Sequence, residues 1–105
     1  MPMSPVPAVT LTPVAYFPEN YFLENLAVRA DGSVLITAVL QKELWCVPGP
    51  EPRVDVRPVL VHTFEYMVSG IAEVQPDVFV ICVCDAYESQ KAYLVRLDLA
   101  RSYAG

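Results

Sequence analysis

The sequence predicts an all-β protein made of about two four-stranded antiparallel blades of a β-propeller, with the second blade incomplete. The 105 residues are 54% hydrophobic and 18% charged, which excludes a disordered chain and indicates a folded core. Apolar runs of roughly four to eight residues are separated by Pro, Gly and Asp, as is typical of short strands. The strand pattern begins again after roughly 45 residues, a spacing typical of propeller blades.

The first blade is expected in residues 19–68, after a proline-rich lead-in over residues 1–18 that includes a strand at 14–17. Asp31-Gly32 predicts a hairpin turn, because this pair favours positive φ. The strands predicted on either side of the turn and after it cover residues 26–29, 34–40, 43–47 and 56–64. His62, the one histidine, then lies on the outermost strand and far from any channel.

The second blade is expected in residues 69–105, with strands over 71–74, 78–83 and 92–99. Aligning Leu26 with Ile71 places Leu35 opposite Val80 and gives three strands where the first copy has four. We therefore expect a truncated product, whose last strand is missing. A seven-stranded sandwich is the alternative, since it also needs short strands at regular spacing.

Composition excludes several classes of function. A net charge of −5 argues against a nucleic-acid surface, which depends on clustered Lys and Arg. No apolar run approaches the roughly 20 residues of a membrane span, and the first residues lack the basic start of a secretory signal, so we expect a cytoplasmic protein without membrane contact.

The three cysteines are an odd number, and Cys82 and Cys84 point to one face of their strand by alternation. We expect free, buried thiols that pack as small hydrophobic groups. A metal site is the alternative, and Cys-x-Cys without a second pair is a weak signal for it.

Three stretches of sequence carry a resemblance to a known family. They are FLENLAVR at 22–29, DGSVLIT at 31–37, and GIAEV with PDVF at 70–74 and 76–79. In this order and spacing the chain resembles the regucalcin and gluconolactonase superfamily of six-bladed propellers, most closely its fungal branch. The similarity covers residues 14–99 and corresponds to the opening third of a family member.

The resemblance implies a metal position. Family members hold one divalent cation, often calcium, at the mouth of the channel, and Glu24 would be its first ligand. The remaining ligands would lie beyond Gly105, so no cofactor is expected for this chain alone. The alternative is a solvated turn in which Asn25 bonds to the backbone.

The fungal branch also includes propellers that promote hetero-Diels–Alder cyclisation in specialised metabolism, by orienting two reactants in an aromatic-lined cavity. The resemblance therefore implies the N-terminal part of such an enzyme, with Tyr21, Phe22 and Asn25 contacting a small-molecule substrate and no catalytic residue assigned. Packing is the alternative role for the rings. This length is expected to be inactive alone.

Two other functions remain open from the sequence. One is a metal-dependent lactone hydrolase. The other is a non-catalytic fragment or interaction module that associates with itself through open blade edges, where unpaired strands can add to one another.

Overall fold

The computed structural model describes residues 8–49 and 56–100, and the expectations for residues 1–7, 50–55 and 101–105 lie outside this part of the chain. The described residues form seven strands and are all-β, as predicted. The strands are β1 (Leu23–Val28), β2 (Val34–Ala38), β3 (Glu43–Val47), β4 (Val59–Thr63), β5 (Met67–Gln75), β6 (Val78–Cys84) and β7 (Ala92–Asp98). No helix able to span a membrane is present in the described ranges.

The strands pair as two separate antiparallel sheets. The first has the order β1-β2-β3-β4 and the second the order β5-β6-β7, so every strand pairs with its neighbour in the chain. This up-and-down order is that of propeller blades. The fold is therefore consistent with two blades, of which the second has three strands within the described residues.

The hydrophobic core lies between the two sheets. Alternate residues of each strand point into it, and Leu35, Leu44, Phe79 and Ile81 are fully buried there. Each sheet also has a face that points away from the core. The front face of the first sheet carries Leu26, Val28, Val34, Ile36, Trp45 and Val47. The back face of the second sheet carries Ala72, Val74, Val80, Cys82 and Leu94, with Arg96 beside Val80 on the edge strand β7.

The two sheets contact each other mainly through β1 and β5. β2 contacts β5 less extensively, and β3 less extensively still. The opposite ends of the two sheets, β4 and β7, are their outer edges. His62 is exposed on β4, where its ring packs edge-on against Phe64 with 4.6 Å between centroids. The prediction that this histidine lies on an outermost strand is confirmed.

The pairing of the strands agrees with the alignment of the two repeats by sequence. Ala27 pairs with Leu35 in the first sheet, and Ala72 pairs with Val80 at the positions 45 residues later. Leu35 faces the second sheet, whereas Val80 points to the back face. Equivalent residues of successive propeller blades have this relation, because each blade turns the same face to the next one.

The expected strand over residues 14–17 does not form. Pro13 and Pro18 flank this stretch and lack the N–H groups that a ladder requires. Residues 14–21, which we call the strap, instead lie on the front face. The rings of Phe17 and Tyr21 pack edge-on against Trp45, with centroids 5.7 and 6.2 Å away.

A bidentate ion pair joins the two sheets at the end where β1 and β5 finish. Arg29 Nε and Nη2 donate to Asp77 Oδ1 and Oδ2 at 2.9 and 2.8 Å. Asp77 has a φ of 60°, a conformation that Asp adopts more readily than most residues. The hydrogen bonds from Arg29 hold the pKa of the Asp77 carboxyl below its ordinary value of 3.8. The pair therefore fixes the turn after β1 against the turn after β5.

Replacing Arg29 by Met should lower the free energy of unfolding at pH 7 by about 1.5–3 kcal/mol, because a largely buried partner of a charged hydrogen bond is lost. Since Asp77 titrates below its unfolded value, its contribution is present above pH 3.8 and is lost as the pH falls through its native pKa. The difference between the R29M variant and the parent, measured by urea unfolding, should therefore shrink on acidification.

Arg96→Met is the matched control. The side chain of Arg96 is 56% exposed, against 11% for Arg29, and its pair with Asp98 is a single contact of 3.4 Å. Its loss should cost less than about 1 kcal/mol. Equal effects of the two substitutions would show that the Arg29–Asp77 pair does not hold the sheets together.

Candidate functional site

The antiparallel order gathers a set of loops at one end of both sheets, which we call the loop edge. It consists of residues 19–22, 39–42, 64–66 and 85–91. β1 and β5 begin at this edge, and β2 and β6 end there. Loops held by a rigid sheet are where binding residues commonly lie, so the loop edge is the candidate functional site.

Each of the two adjacent strands β1 and β5 carries a β-bulge near the loop edge. In β1 the register breaks between Leu23 and Asn25, so that Glu24 is an extra residue. In β5 it breaks between Val68 and Ile71, where Ser69-Gly70 oppose a single residue of β6. Bulges re-aim a side chain and are over-represented next to active sites. Glu24 is exposed at this bulge.

Asn25 is engaged with the backbone. Its Oδ1 accepts a hydrogen bond from the Leu26 N–H at 2.8 Å, and its own N–H donates to Thr37 Oγ1 at 3.2 Å. Its amide nitrogen lies near the bulge of β5, since a Cβ on Gly70 would be 3.9 Å from Asn25 Nδ2 and 3.4 Å from Cys82 Sγ. Asn25 therefore spans the narrow gap between β1 and β5.

A small cavity of about 140 Å³ opens at the loop edge between the two sheets. Its lining residues are Leu40, Lys42, Tyr66, Met67, Cys84, Asp85 and Tyr87. Tyr66 packs edge-on against Tyr93, with 6.5 Å between ring centroids. Hydrogen bonding to Glu65 raises the pKa of the Tyr66 hydroxyl, so this group stays protonated and able to donate.

Asp85 organises the loop that borders this cavity. Its Oδ1 accepts from the N–H groups of Tyr87 and Glu88 at 3.2 Å, and its Oδ2 accepts from the N–H and Oγ of Ser89 at 2.8 Å. These bonds, with Ser89 foremost, lower the pKa of the Asp85 carboxyl to about 2. Asp85 therefore has a structural role in its loop, and it orients Tyr87 at the cavity.

The sequence-predicted residues separate into three places. Glu24 and Asn25 share a shallow cavity of about 160 Å³ with Leu23, Leu26 and Ile36. Phe22 is exposed at the loop edge, and its N–H donates to Gln41 Oε1 at 3.3 Å. Tyr21 belongs to the strap, where its contact with Glu43 raises the pKa of its hydroxyl.

Sequence reasoning did not find Lys42 or Tyr87 as site residues. Each lies in a connection rather than in a strand, and only the pairing of the strands shows that these connections meet at one edge. The signal available in the sequence was the position of Lys42 and Tyr87 in successive hairpin loops of the repeat, after β2 and after β6.

The expectation of buried thiols is wrong for Cys82, which is exposed, whereas Cys46 and Cys84 are half-buried. Cys82 points to the back face of the second sheet, which no other described segment covers. All of the cysteines are free.

The donor set of the described residues does not fit a calcium site. Within residues 8–49 and 56–100 no three His, Cys, Asp or Glu side chains come together as metal ligands. Glu24 offers one carboxylate, and the amide oxygen of its neighbour Asn25 is already an acceptor. Calcium takes about six to eight oxygens, more than these two side chains supply.

Comparison with protein-family models, with curated proteins and with solved structures found no match to this chain.

Calcium should leave the thermal midpoint of the chain unchanged up to millimolar concentration, because a single exposed carboxylate binds it too weakly to stabilise the fold. Differential scanning fluorimetry with CaCl₂ measures this. A rise in the midpoint that disappears in the Glu24→Gln variant, but persists in Glu88→Gln, would contradict the expectation and identify Glu24 as a ligand.

Proposed function

We propose that residues 14–99 form two neighbouring blades of a six-bladed propeller of the regucalcin and gluconolactonase kind, and that the function of the whole is hetero-Diels–Alder cyclisation of a small molecule in fungal specialised metabolism. The observation that carries the proposal is the pair of bulged strands. β1 and β5 lie side by side and are each bulged near the loop edge, as adjacent strands around a substrate channel would be.

The chemistry at the loop edge supports cyclisation. In this reaction a heterodiene adds to an alkene, two σ bonds form, and three π bonds become one, so no external acid, oxidant or reductant is consumed. Catalysis then depends on orientation, which an aromatic-lined cavity supplies. Tyr66 and Tyr87 line the cavity, and the Lys42 ammonium beside them can donate a hydrogen bond to a carbonyl oxygen of the heterodiene.

The proposal is tested by binding of 3,4-dihydropyran, the ring formed when a 1-oxadiene adds to ethylene. Titrated into the ¹⁵N-labelled chain, it should shift the amide signals of Lys42, Met67 and Tyr87 together, with one dissociation constant. Tyr87→Ala should weaken binding at least about threefold, because it removes one aromatic wall. Tyr16→Ala, an equally exposed tyrosine on the strap, should change nothing.

Signals that move in other parts of the sheets, or equal effects of the two tyrosine variants, would overturn the loop-edge site. Titration with δ-valerolactone under the same conditions separates the reaction types. Tighter binding of the lactone, weakened by Glu24→Gln, would favour a lactone hydrolase, for which the bulge at Glu24 is the supporting observation.

A second proposal concerns partners, and the largely apolar back face of the second sheet favours it. Val74 and Leu94 are exposed there beside Ala72, Val80 and Cys82, and the one cation among the described residues of this face, Arg96, is paired with Asp98. We propose that a second copy of the chain packs on this face with the part of its front face that the strap leaves open, around Val28. Three chains joined in this way would complete six blades.

Light scattering after size exclusion should therefore show a trimer at micromolar concentration. Leu94→Lys should dissociate it, because an ammonium cannot be buried unpaired in an apolar interface. Leu11→Lys, an equally accessible leucine outside both sheets, is the control and should leave the trimer intact. A parent chain that is monomeric in this measurement would contradict the proposal.

A further inference from the structure

The strap does not close completely on the front face of the first sheet. A cleft of about 280 Å³ remains between the two. The strap supplies Val14, Ala15 and Phe17 to its walls, and the sheet supplies Leu23, Leu26, Val34, Ile36 and Val47. All eight lining residues are apolar.

From these walls we infer that the cleft is a binding site for an uncharged, hydrocarbon-rich small molecule. A cleft without polar side chains does not hold ordered water, which needs two to four hydrogen-bonding partners. Leu23 and Leu26 are 42% and 56% exposed in this wall, so a ligand in the cleft would bury apolar surface that now faces water, which is favourable. A charged or strongly polar ligand is excluded because its groups would stay unpaired against these walls.

The attachment of the strap is suited to admitting such a molecule. Its C-terminal end is fixed, because Gln41 Nε2 donates to the Asn20 carbonyl at 3.1 Å and Tyr21 packs on Trp45. Phe17 also rests on Trp45 through its ring edge, and it forms part of the cleft wall. The strap is thus held over the cleft by side-chain packing, which can adjust to an occupant without breaking a sheet ladder. This site shares Leu23, Leu26 and Ile36 with the shallow cavity at Glu24 and Asn25, but it shares no residue with the cavity at the loop edge. It does not rest on the proposed function.

The probe for the experiment is N-phenyl-1-naphthylamine, an uncharged aromatic amine whose fluorescence rises in apolar surroundings. It should bind the full chain saturably, with one molecule per chain. Trp45 is the one tryptophan of the sequence and touches the cleft wall through Phe17, so its emission should change with the same dissociation constant. Binding that does not saturate, or an unchanged Trp45 emission, would overturn the inference.

A matched pair of variants locates the probe. Leu26 and Leu60 are strand leucines that are 56% and 45% exposed, so both tolerate a polar side chain, and Leu60 does not line the cleft. Leu26→Asn should weaken binding about tenfold, because it places an amide in the apolar wall. Leu60→Asn should leave binding unchanged. Equal effects of the two substitutions would mean that the probe binds exposed apolar surface in general.

Ala15→Phe provides an independent test, because it fills the cleft from the strap and leaves the sheet untouched. It should abolish binding and retain the circular dichroism spectrum of the parent chain. Unchanged binding in this variant would place the probe elsewhere and would end the proposal, whatever the result at the loop edge.

Discussion

The packing of the two sheets against each other depends on the hydrogen bonds of the Thr37 hydroxyl. Thr37 is fully buried, and its Oγ1 donates to the Ser69 carbonyl at 2.8 Å while it accepts from the Asn25 N–H at 3.2 Å. One side chain of β2 therefore satisfies backbone groups at both bulges, in β1 and in β5. Buried backbone groups without partners are costly, so the bulges can face each other only because this hydroxyl lies between them.

The Arg29–Asp77 pair complements Thr37 at the opposite end of the same two strands. Between these two polar contacts the interface is apolar, with Leu35 and Phe79 at its centre. Apolar packing does not by itself define direction, because hydrophobic burial is non-directional. The two polar contacts supply the direction, and they set β1 beside β5 so that the loops of both sheets meet at one edge.

The sequence was sufficient for the strands and their order, because period-two alternation and the Asp31-Gly32 turn are local signals. The bounds of β3 agree with the prediction at both ends. The relation of the repeats could be predicted as well, because the pairing of β1 with β2 recurs 45 residues later between β5 and β6. The site was predicted in part: Glu24 and Asn25 lie at a bulge, but the cavity with Lys42 and Tyr87 is formed by loops that only the tertiary structure brings together. The ion pair joins residues 48 positions apart and has no local signal.

The position of Trp45 has a consequence for how the folding of this chain is observed. Its indole lies on the front face, under the strap, and its Nε1 donates to Glu43 Oε1 at 3.0 Å, so it is separated by the sheet from the core around Leu35 and Phe79. Tryptophan emission during denaturation therefore follows the release of residues 14–21. The far-ultraviolet signal follows the loss of the ladders. The two curves need not coincide. Their separation would reveal a state in which both sheets are intact and the strap has left the front face of the first sheet.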